Sequence, residues 1–176
     1  MADLVFIYGP PAAGKFTIAK ALAEDLGWPL FHNHVVIDCV SVLLKRGEAG
    51  FLDACADVRL ALTSRALASG KSHVSTFVYG RGIDDVFVSR LRDTVGAIGA
   101  RFCAVKLSCA VEQLNDRCVA QHRAPMGKIA SVESLQLVLE QYDCFASLPD
   151  IESFEIDTSE SSISQSVSRI KAHFRL

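Results

Sequence analysis

The stretch GPPAAGKFT, residues 9–17, follows an apolar run at 4–8 and opens a segment whose apolar residues recur at helical spacing. Its glycines and lysine meet the spacing G-x-x-x-x-G-K. In such loops the glycines let the backbone turn so that successive N–H groups converge on phosphate, while the helix dipole and the lysine add positive charge. The alternative is a Gly/Pro turn that carries a surface lysine. We predict a phosphate-binding loop formed by Gly9, Pro11, Ala12, Ala13, Gly14, Lys15, Phe16 and Thr17.

The position after Lys15 departs from the usual motif, because Phe16 stands where a serine or threonine normally supplies a hydroxyl to Mg²⁺. Thr17 supplies a hydroxyl one position later, and we predict that it contacts phosphate or Mg²⁺. The apolar run at 74–79 contains no aspartate that could serve as a second magnesium contact. The sequence therefore supports nucleotide binding more strongly than magnesium binding.

Short apolar runs alternate with segments of helical periodicity along the chain. The runs at 4–8, 29–31, 74–79, 102–107 and 154–156 predict buried strands. This alternation predicts a three-layer α/β/α fold with a five-stranded parallel sheet and right-handed crossovers. Ligands in such folds bind at the carboxyl ends of the strands, where the loop at 9–17 would lie.

The composition disfavours several classes of partner. A length of 176 residues suits one domain, and a formal net charge of −2 gives no basic surface for nucleic acid. No apolar run approaches the roughly 18–20 residues of a membrane helix. Because no signal-peptide pattern is present, we expect a cytoplasmic protein. The six cysteines follow no metal-binding spacing and are predicted to be reduced core thiols.

Two segments stand out within this single predicted domain, residues 1–176. Residues 34–70 hold two predicted helices and form a candidate substrate-side segment. Between 118 and 131 the apolar rhythm lapses, and basic residues gather around Pro125 and Gly127. This pattern predicts a small mobile helical lid.

The order of these parts resembles the small P-loop kinases, which include shikimate kinase, nucleoside monophosphate kinases and chloramphenicol phosphotransferase. The resemblance covers nearly the whole chain in layout, and the loop at 9–17 is its specific motif, with G-K-x-T similar to the G-K-G-T of adenylate kinases. Together with LFHNH at 30–34, the loop also looks like bacterial proteins labelled ATPase-like or shikimate kinase-like.

The resemblance implies an ATP-dependent transfer of a γ-phosphoryl group to a small hydroxylated metabolite or antibiotic, with Mg²⁺ as cofactor. Lys15 would neutralise charge between the β- and γ-phosphates, and the loop backbone would cradle them. Arg117 and Arg123 are spaced like the lid arginines of the family, with Arg117 at the nucleotide and Arg123 over the transferring phosphate. Solvated surface arginines are the alternative for both.

On the substrate side, Asp38 shares a predicted helical face with His34, and we predict that it orients the acceptor hydroxyl as a base or acts as an outer-sphere magnesium ligand. An exposed aspartate on a helix is the alternative. The further candidates for substrate binding are His32, Asn33, His34, Arg59 and Arg81.

Two further function classes stay open at this point. The first is a nucleoside or nucleotide kinase, although the scarcity of arginines on the substrate side favours a neutral hydroxyl acceptor. The second is a nucleotide-binding module or slow NTPase, which the departures from the magnesium motif favour. The choice between ATP and GTP and the oligomeric state are open as well.

Overall fold

The strand that precedes the loop, β1 (Asp3–Tyr8), is buried along its whole length at the centre of a parallel sheet. The computed structural model describes residues 1–120 and 129–176. In it, β1 pairs with β3 (His73–Phe77) on one side and with β4 (Arg101–Ser108) on the other. The short β2 (Leu30–Phe31) and β5 (Phe154–Asp157) complete the order β2-β3-β1-β4-β5. The predicted five-stranded parallel sheet is confirmed.

Helices connect these strands, as the periodicity predicts. The helices among the described residues are α1 (Lys15–Leu26), α2 (Asn33–Ser41), α3 (Phe51–Ala68), α4 (Asp85–Ala97), α5 (Val111–Cys118), α6 (Val132–Gln141) and α7 (Ile163–Phe174). None of them is both long and apolar enough to cross a lipid bilayer.

The alternation of side chains along β1 builds a core on each face of the sheet. Val5 and Ile7 belong to one core, which α1, α5 and α7 cover. Leu4, Phe6 and Tyr8 belong to the other, to which α3 and α4 contribute buried leucines and valines. Each such side chain stabilises the fold by about 1.5–3 kcal/mol when fully buried. The two cores give the three layers that the sequence predicts.

An ion pair joins the start of β1 to the start of β4. Arg101 donates from Nε to Asp3 Oδ1 at 2.6 Å and from Nη2 to Asp3 Oδ2 at 2.7 Å. Its Nη1 also donates to the main-chain oxygen of Phe174 at 2.9 Å. These contacts attach the last helix to the end of the sheet where β1 and β4 begin, opposite the loop.

The first residue of β3, His73, is a buried titratable group. It lies opposite Leu4 in β1, and its ring centroid is 6.4 Å from that of Phe31. Burial lowers the pKa of His73 below its ordinary value of 6.5, and the main chain of Lys71 opposes part of that shift. The native state therefore holds the neutral imidazole.

This burial predicts a loss of stability in mild acid. Above pH 6.5 His73 is neutral in both the folded and the unfolded chain. Below that pH the unfolded chain binds a proton first. The free energy of unfolding therefore falls with pH until the pH passes the pKa of His73 in the folded state. Urea unfolding at about pH 7.5 and about pH 5.5 measures the loss. His73→Phe should reduce it, and an equal pH dependence in wild type and variant would contradict the prediction.

Candidate functional site

The loop between β1 and α1 takes up unusual backbone angles at three of its residues. Gly9 has φ 140°, Gly14 has φ 85° and Ala12 has φ 66°. A left-handed conformation at a non-glycine residue costs about 1–3 kcal/mol, and such strain is typical of ligand-binding loops. Gly14 is also the N-cap of α1, so the positive end of the helix dipole faces the space above the loop. The loop has the geometry of an anion site.

Lys15 is buried and bends back over this loop. Its Nζ donates to the main-chain oxygens of Gly9 at 2.9 Å and Pro10 at 2.6 Å. These contacts hold a positive charge at the loop, beside the N-terminus of α1.

A cavity of about 740 Å³ opens above the loop, and we call it the loop cavity. The ring of Phe16 meets that of His32 edge-on, with centroids 5.1 Å apart. Thr17 is exposed to the cavity. The residues that line it include Lys15, Phe16, Thr17, His32, Asn33, His34, Arg46, Thr76, Arg117 and Thr158.

Arg117, in the last turn of α5, is held against the end of β5. Its Nη1 donates to Thr158 Oγ1 at 3.0 Å, and its Nη2 donates to the Thr158 main-chain oxygen at 2.8 Å. Thr158 in turn donates to the main-chain oxygen of Ala13 at 3.2 Å. The guanidinium is therefore fixed beside the loop, at one wall of the loop cavity.

A second cavity of about 350 Å³, which we call the side cavity, lies between α3, α4 and the residues that follow α6. Its lining includes Phe51, Arg59, Gly80, Asp84, Tyr142 and Cys144. Burial raises the pKa of the Cys144 thiol, with Lys15 opposing and Asp84 adding to the shift.

Arg59 is a buried cation in the wall of the side cavity, with only 4% of its surface exposed. Its Nη2 donates to the main-chain oxygen of Asn33 at 3.2 Å and also to Asn33 Oδ1. Its guanidinium lies 5.1 Å from the ring centroid of Phe77, and Nη1 finds no hydrogen-bond acceptor among the described residues. Burial lowers the pKa of Arg59 to about 10.

Asp84 precedes α4 and contributes a carboxylate to the same cavity. Its Oδ2 accepts a hydrogen bond from the Gly80 N–H at 2.8 Å. Burial raises its pKa, while that hydrogen bond and Arg59 oppose the shift. This carboxylate is therefore partly desolvated.

The two cavities adjoin, since Asn33, Ile37, Val78 and Val138 line both. The N–H of Asn33 donates to Thr76 Oγ1 at 3.1 Å, which fixes the start of α2 against β3. A ligand on the loop and a ligand in the side cavity would meet at this point.

The structure brings most of the predicted site residues to these cavities, but not all of them. Asp38 and Arg81 are exposed and line neither cavity. Arg81 instead makes an exposed ion pair with Asp143, with Nε 3.7 Å from Oδ2. The placement of Asp38 argues against the predicted base role, because the side of α2 that faces the cavity carries His34 and Ile37. Arg123 and most of the predicted lid at 118–131 lie outside the described residues.

Sequence reasoning missed several polar side chains that line the cavities, among them Arg46, Thr76, Asp84 and Cys144. Arg46 stands in a loop that the neighbouring glycines indicate, and Asp84 follows the glycine loop at 80–82. Those local signals mark loops, but they do not show which cavity a loop reaches.

Comparisons with known proteins agree with this geometry. The chain superposes on a sugar kinase from Janibacter sp. HTCC2649 with a TM-score of 0.71 and 16% identity, covering 99% of this chain and 95% of that one. A gluconokinase from Sinorhizobium meliloti 1021 gives 0.63 and 17%, covering 99% and 91%. Shikimate kinase from Bacteroides thetaiotaomicron gives 0.62 and 19%, covering 99% of both chains. The chain shares the α/β fold of these solved kinases, as the sequence predicts.

One curated relative is similar in sequence. Over 108 residues the chain is 34% identical to a cytidylate kinase from Dichelobacter nodosus. The match covers 60% of this chain and 46% of the relative, so it spans less than half of that protein. No family model matches the chain.

Proposed function

We propose that this protein is an ATP-dependent phosphotransferase that moves the γ-phosphoryl group to a small hydroxylated acceptor. The observation that carries the proposal is the meeting of two cavities at Asn33. One cavity holds a phosphate-binding loop with a buried lysine, and the other holds a buried arginine and a carboxylate. Phosphoryl transfer needs two ligands held in line, with little covalent chemistry from the protein.

In the loop cavity the chain binds the nucleotide. The N–H groups of the loop and the N-terminus of α1 hold the phosphates, and Lys15 neutralises their charge. Arg117, fixed by Thr158, lies against the base or the outer phosphates with its planar fork. Arg123, the second arginine of the predicted lid, is proposed to act on the transferring phosphate.

Thr17 is the side chain that fits a magnesium ion, because its hydroxyl is exposed to the loop cavity. Among the described lining residues of that cavity there is no carboxylate. Mg²⁺ in kinase sites keeps several waters and is bound through one or two carboxylates and the substrate's phosphate oxygens. With no carboxylate among those described residues, Thr17 would hold the ion together with phosphate oxygens and water. When bound, the ion neutralises charge on the phosphates.

Thr17→Ala is expected to weaken nucleotide binding in the presence of Mg²⁺ by about 10-fold or more, since a hydrogen bond or ligand to a charged group is lost. Without Mg²⁺ the two proteins should bind nucleotide more nearly alike. Calorimetry with and without Mg²⁺ measures both affinities, and Thr17→Ser should restore the wild-type value. Equal magnesium dependence in wild type and Thr17→Ala would contradict the assignment.

The side cavity favours an acceptor that carries an acidic group next to its hydroxyl. Arg59 is buried, and no carboxylate among the described residues lies within 4.0 Å of it. A buried cation is costly unless an anion compensates it. An acidic acceptor would supply that anion, whereas the sequence alone favoured a neutral one.

A nucleotide acceptor is the second candidate, because the curated relative is a cytidylate kinase. Its phosphate would take the place of the acid group at Arg59. The size of the side cavity and the single buried arginine within it favour a smaller molecule.

ADP release from Mg²⁺ and ATP, measured across a panel of acceptors, tests the proposal. The panel contains shikimate and gluconate, their uncharged analogues, nucleosides, nucleoside monophosphates and hydroxylated antibiotics. Strong stimulation by a hydroxy acid is expected. Stimulation by a nucleoside monophosphate alone would favour the second candidate, and ATP binding without any stimulated or basal turnover would indicate a binding module.

A further inference from the structure

We propose that Asp84 is the catalytic carboxylate of the side cavity, which accepts the proton of the acceptor hydroxyl as that oxygen attacks the γ-phosphorus. This inference rests on the proposed phosphotransferase function. It assigns to the start of α4 a role that the sequence placed on α2.

Asn33 stands where the two cavities meet, but it cannot act as the base. Its main-chain oxygen and its Oδ1 both accept hydrogen bonds from Arg59 Nη2. The guanidinium donor fixes the orientation of the amide, so the Nδ2 group is left as a donor. Asn33 can therefore bind a phosphate or acceptor oxygen, and a separate group must take the proton.

Two carboxylates line the side cavity among the described residues, and they differ in exposure. Asp53 lies in the first turn of α3 and is exposed, whereas Asp84 is only partly accessible. A partly desolvated carboxylate holds its proton more strongly, which suits a general base. Asp38 lines neither cavity. Asp84 is thus the carboxylate placed to act.

The contacts of Asp84 leave one oxygen for a ligand. Oδ2 accepts from the Gly80 N–H, and Oδ1 makes no hydrogen bond to a described residue. A Cβ added at Gly80 would lie 3.2 Å from the Tyr142 Cβ and 3.6 Å from Asp84 Oδ2, so glycine permits this close packing. The carboxylate is held by the backbone on one side and faces the cavity on the other.

The charged and titratable groups around Asp84 come from four parts of the fold. Arg59 on α3 lowers its pKa and Asp85 beside it raises it. Cys144, after α6, and Tyr79, after β3, also interact with its charge. The side cavity, which Asp84 lines, adjoins the loop cavity at Asn33, and this relates Asp84 to the phosphate end of the reaction.

The step balances without a further reactant. The acceptor O–H bond breaks, and its proton passes to Oδ1 of Asp84. The acceptor oxygen forms a bond to the γ-phosphorus as the bond between that phosphorus and the bridging oxygen of ADP breaks. The products are the phosphorylated acceptor, ADP and a proton that Asp84 later releases to water.

Asp84→Asn in the full chain tests the inference, since asparagine keeps an acceptor for the Gly80 N–H. We expect kcat for the best acceptor of the panel to fall by about 10²–10⁴-fold, with nucleotide affinity changed less than about 2-fold. In the wild type, kcat should rise with pH through the raised pKa of Asp84, and the variant should lose that rise. Asp84→Glu should recover part of the rate.

The matched control is Asp93→Asn, which removes the same charge from an exposed position on α4 that pairs with Arg92. It should keep both kcat and the pH profile. Where no compound of the panel is phosphorylated, basal ATP hydrolysis is compared, because water then takes the place of the acceptor, and a fall of about 10-fold or more in Asp84→Asn is expected.

The outcomes separate the two proposals. A wild-type kcat and pH profile in Asp84→Asn, or an unchanged basal hydrolysis, would overturn the role of Asp84 and leave the phosphotransferase proposal intact. A wild-type protein that neither transfers phosphate nor hydrolyses ATP would overturn both.

Discussion

Lys15→Ala is expected to reduce phosphoryl transfer by about 10²–10³-fold or more and to weaken nucleotide binding sharply. Lys15 is buried among loop carbonyls and is the lysine that lines the loop cavity. Its charge acts in a poorly solvated site, where it stabilises developing negative charge more than it would in water. Nucleotide titration by calorimetry and ADP release measure the two losses.

Lys20→Ala is the matched control for this variant. Lys20 lies on the same helix, is exposed, and makes an i,i+4 pair with Glu24, with Nζ 3.8 Å from Oε1. It should keep nucleotide affinity and turnover. Wild-type nucleotide affinity in Lys15→Ala would mean that the loop does not bind phosphate.

Gly9→Ala is expected to give the largest loss of stability among single loop substitutions, about 3–5 kcal/mol of unfolding free energy. A Cβ at this position would lie 2.2 Å from the Leu107 main-chain oxygen in β4, and Gly9 has φ 140°. Backbone atoms on the neighbouring strand cannot swing aside as a flexible side chain can. The loop or the strand pair must shift, so nucleotide binding should be lost as well.

Urea unfolding of Gly9→Ala beside Gly96→Ala checks this result. Gly96 lies in α4 with nothing within 4 Å of an added Cβ, so alanine there should stabilise the protein by about 0.5–1 kcal/mol. Equal midpoints for Gly9→Ala and wild type would show that the close approach of β1 to β4 is relieved at little cost.

The fold and the loop could be predicted because their signals are local. An apolar run, a glycine-bounded turn and a helix are adjacent in the chain. The residues of 9–17 therefore come together without contacts from distant parts of the sequence. The element boundaries differ from the predicted ones: the first helix of the segment at 34–70 begins at Asn33, and the strand predicted at 74–79 ends at Phe77. A turn follows α2 and an irregular segment follows β3 at 78–80, and apolar residues continue into both.

The side cavity could not be predicted because its walls come from distant parts of the chain. Arg59, Asp84 and Cys144 belong to α3, the start of α4 and the residues after α6, and tertiary packing alone brings them together. Helical spacing placed Asp38 on one polar face with His34, but it could not show which side of that face the cavity would occupy. At Asp84 the neighbouring glycines indicated only that the residue lies in or beside a loop.

The central position of β1 has a consequence for synthesis in the cell. Its two neighbours in the sheet begin at His73 and Arg101. About a hundred residues must therefore be synthesised before both edges of β1 can be paired. At about 5–20 residues per second, their synthesis on the ribosome takes roughly 5–20 s. Until both neighbours have formed, β1 exposes unpaired hydrogen-bonding groups along its edges to other nascent chains. Slower translation or a delayed β4 would lengthen that exposure and favour aggregation over folding.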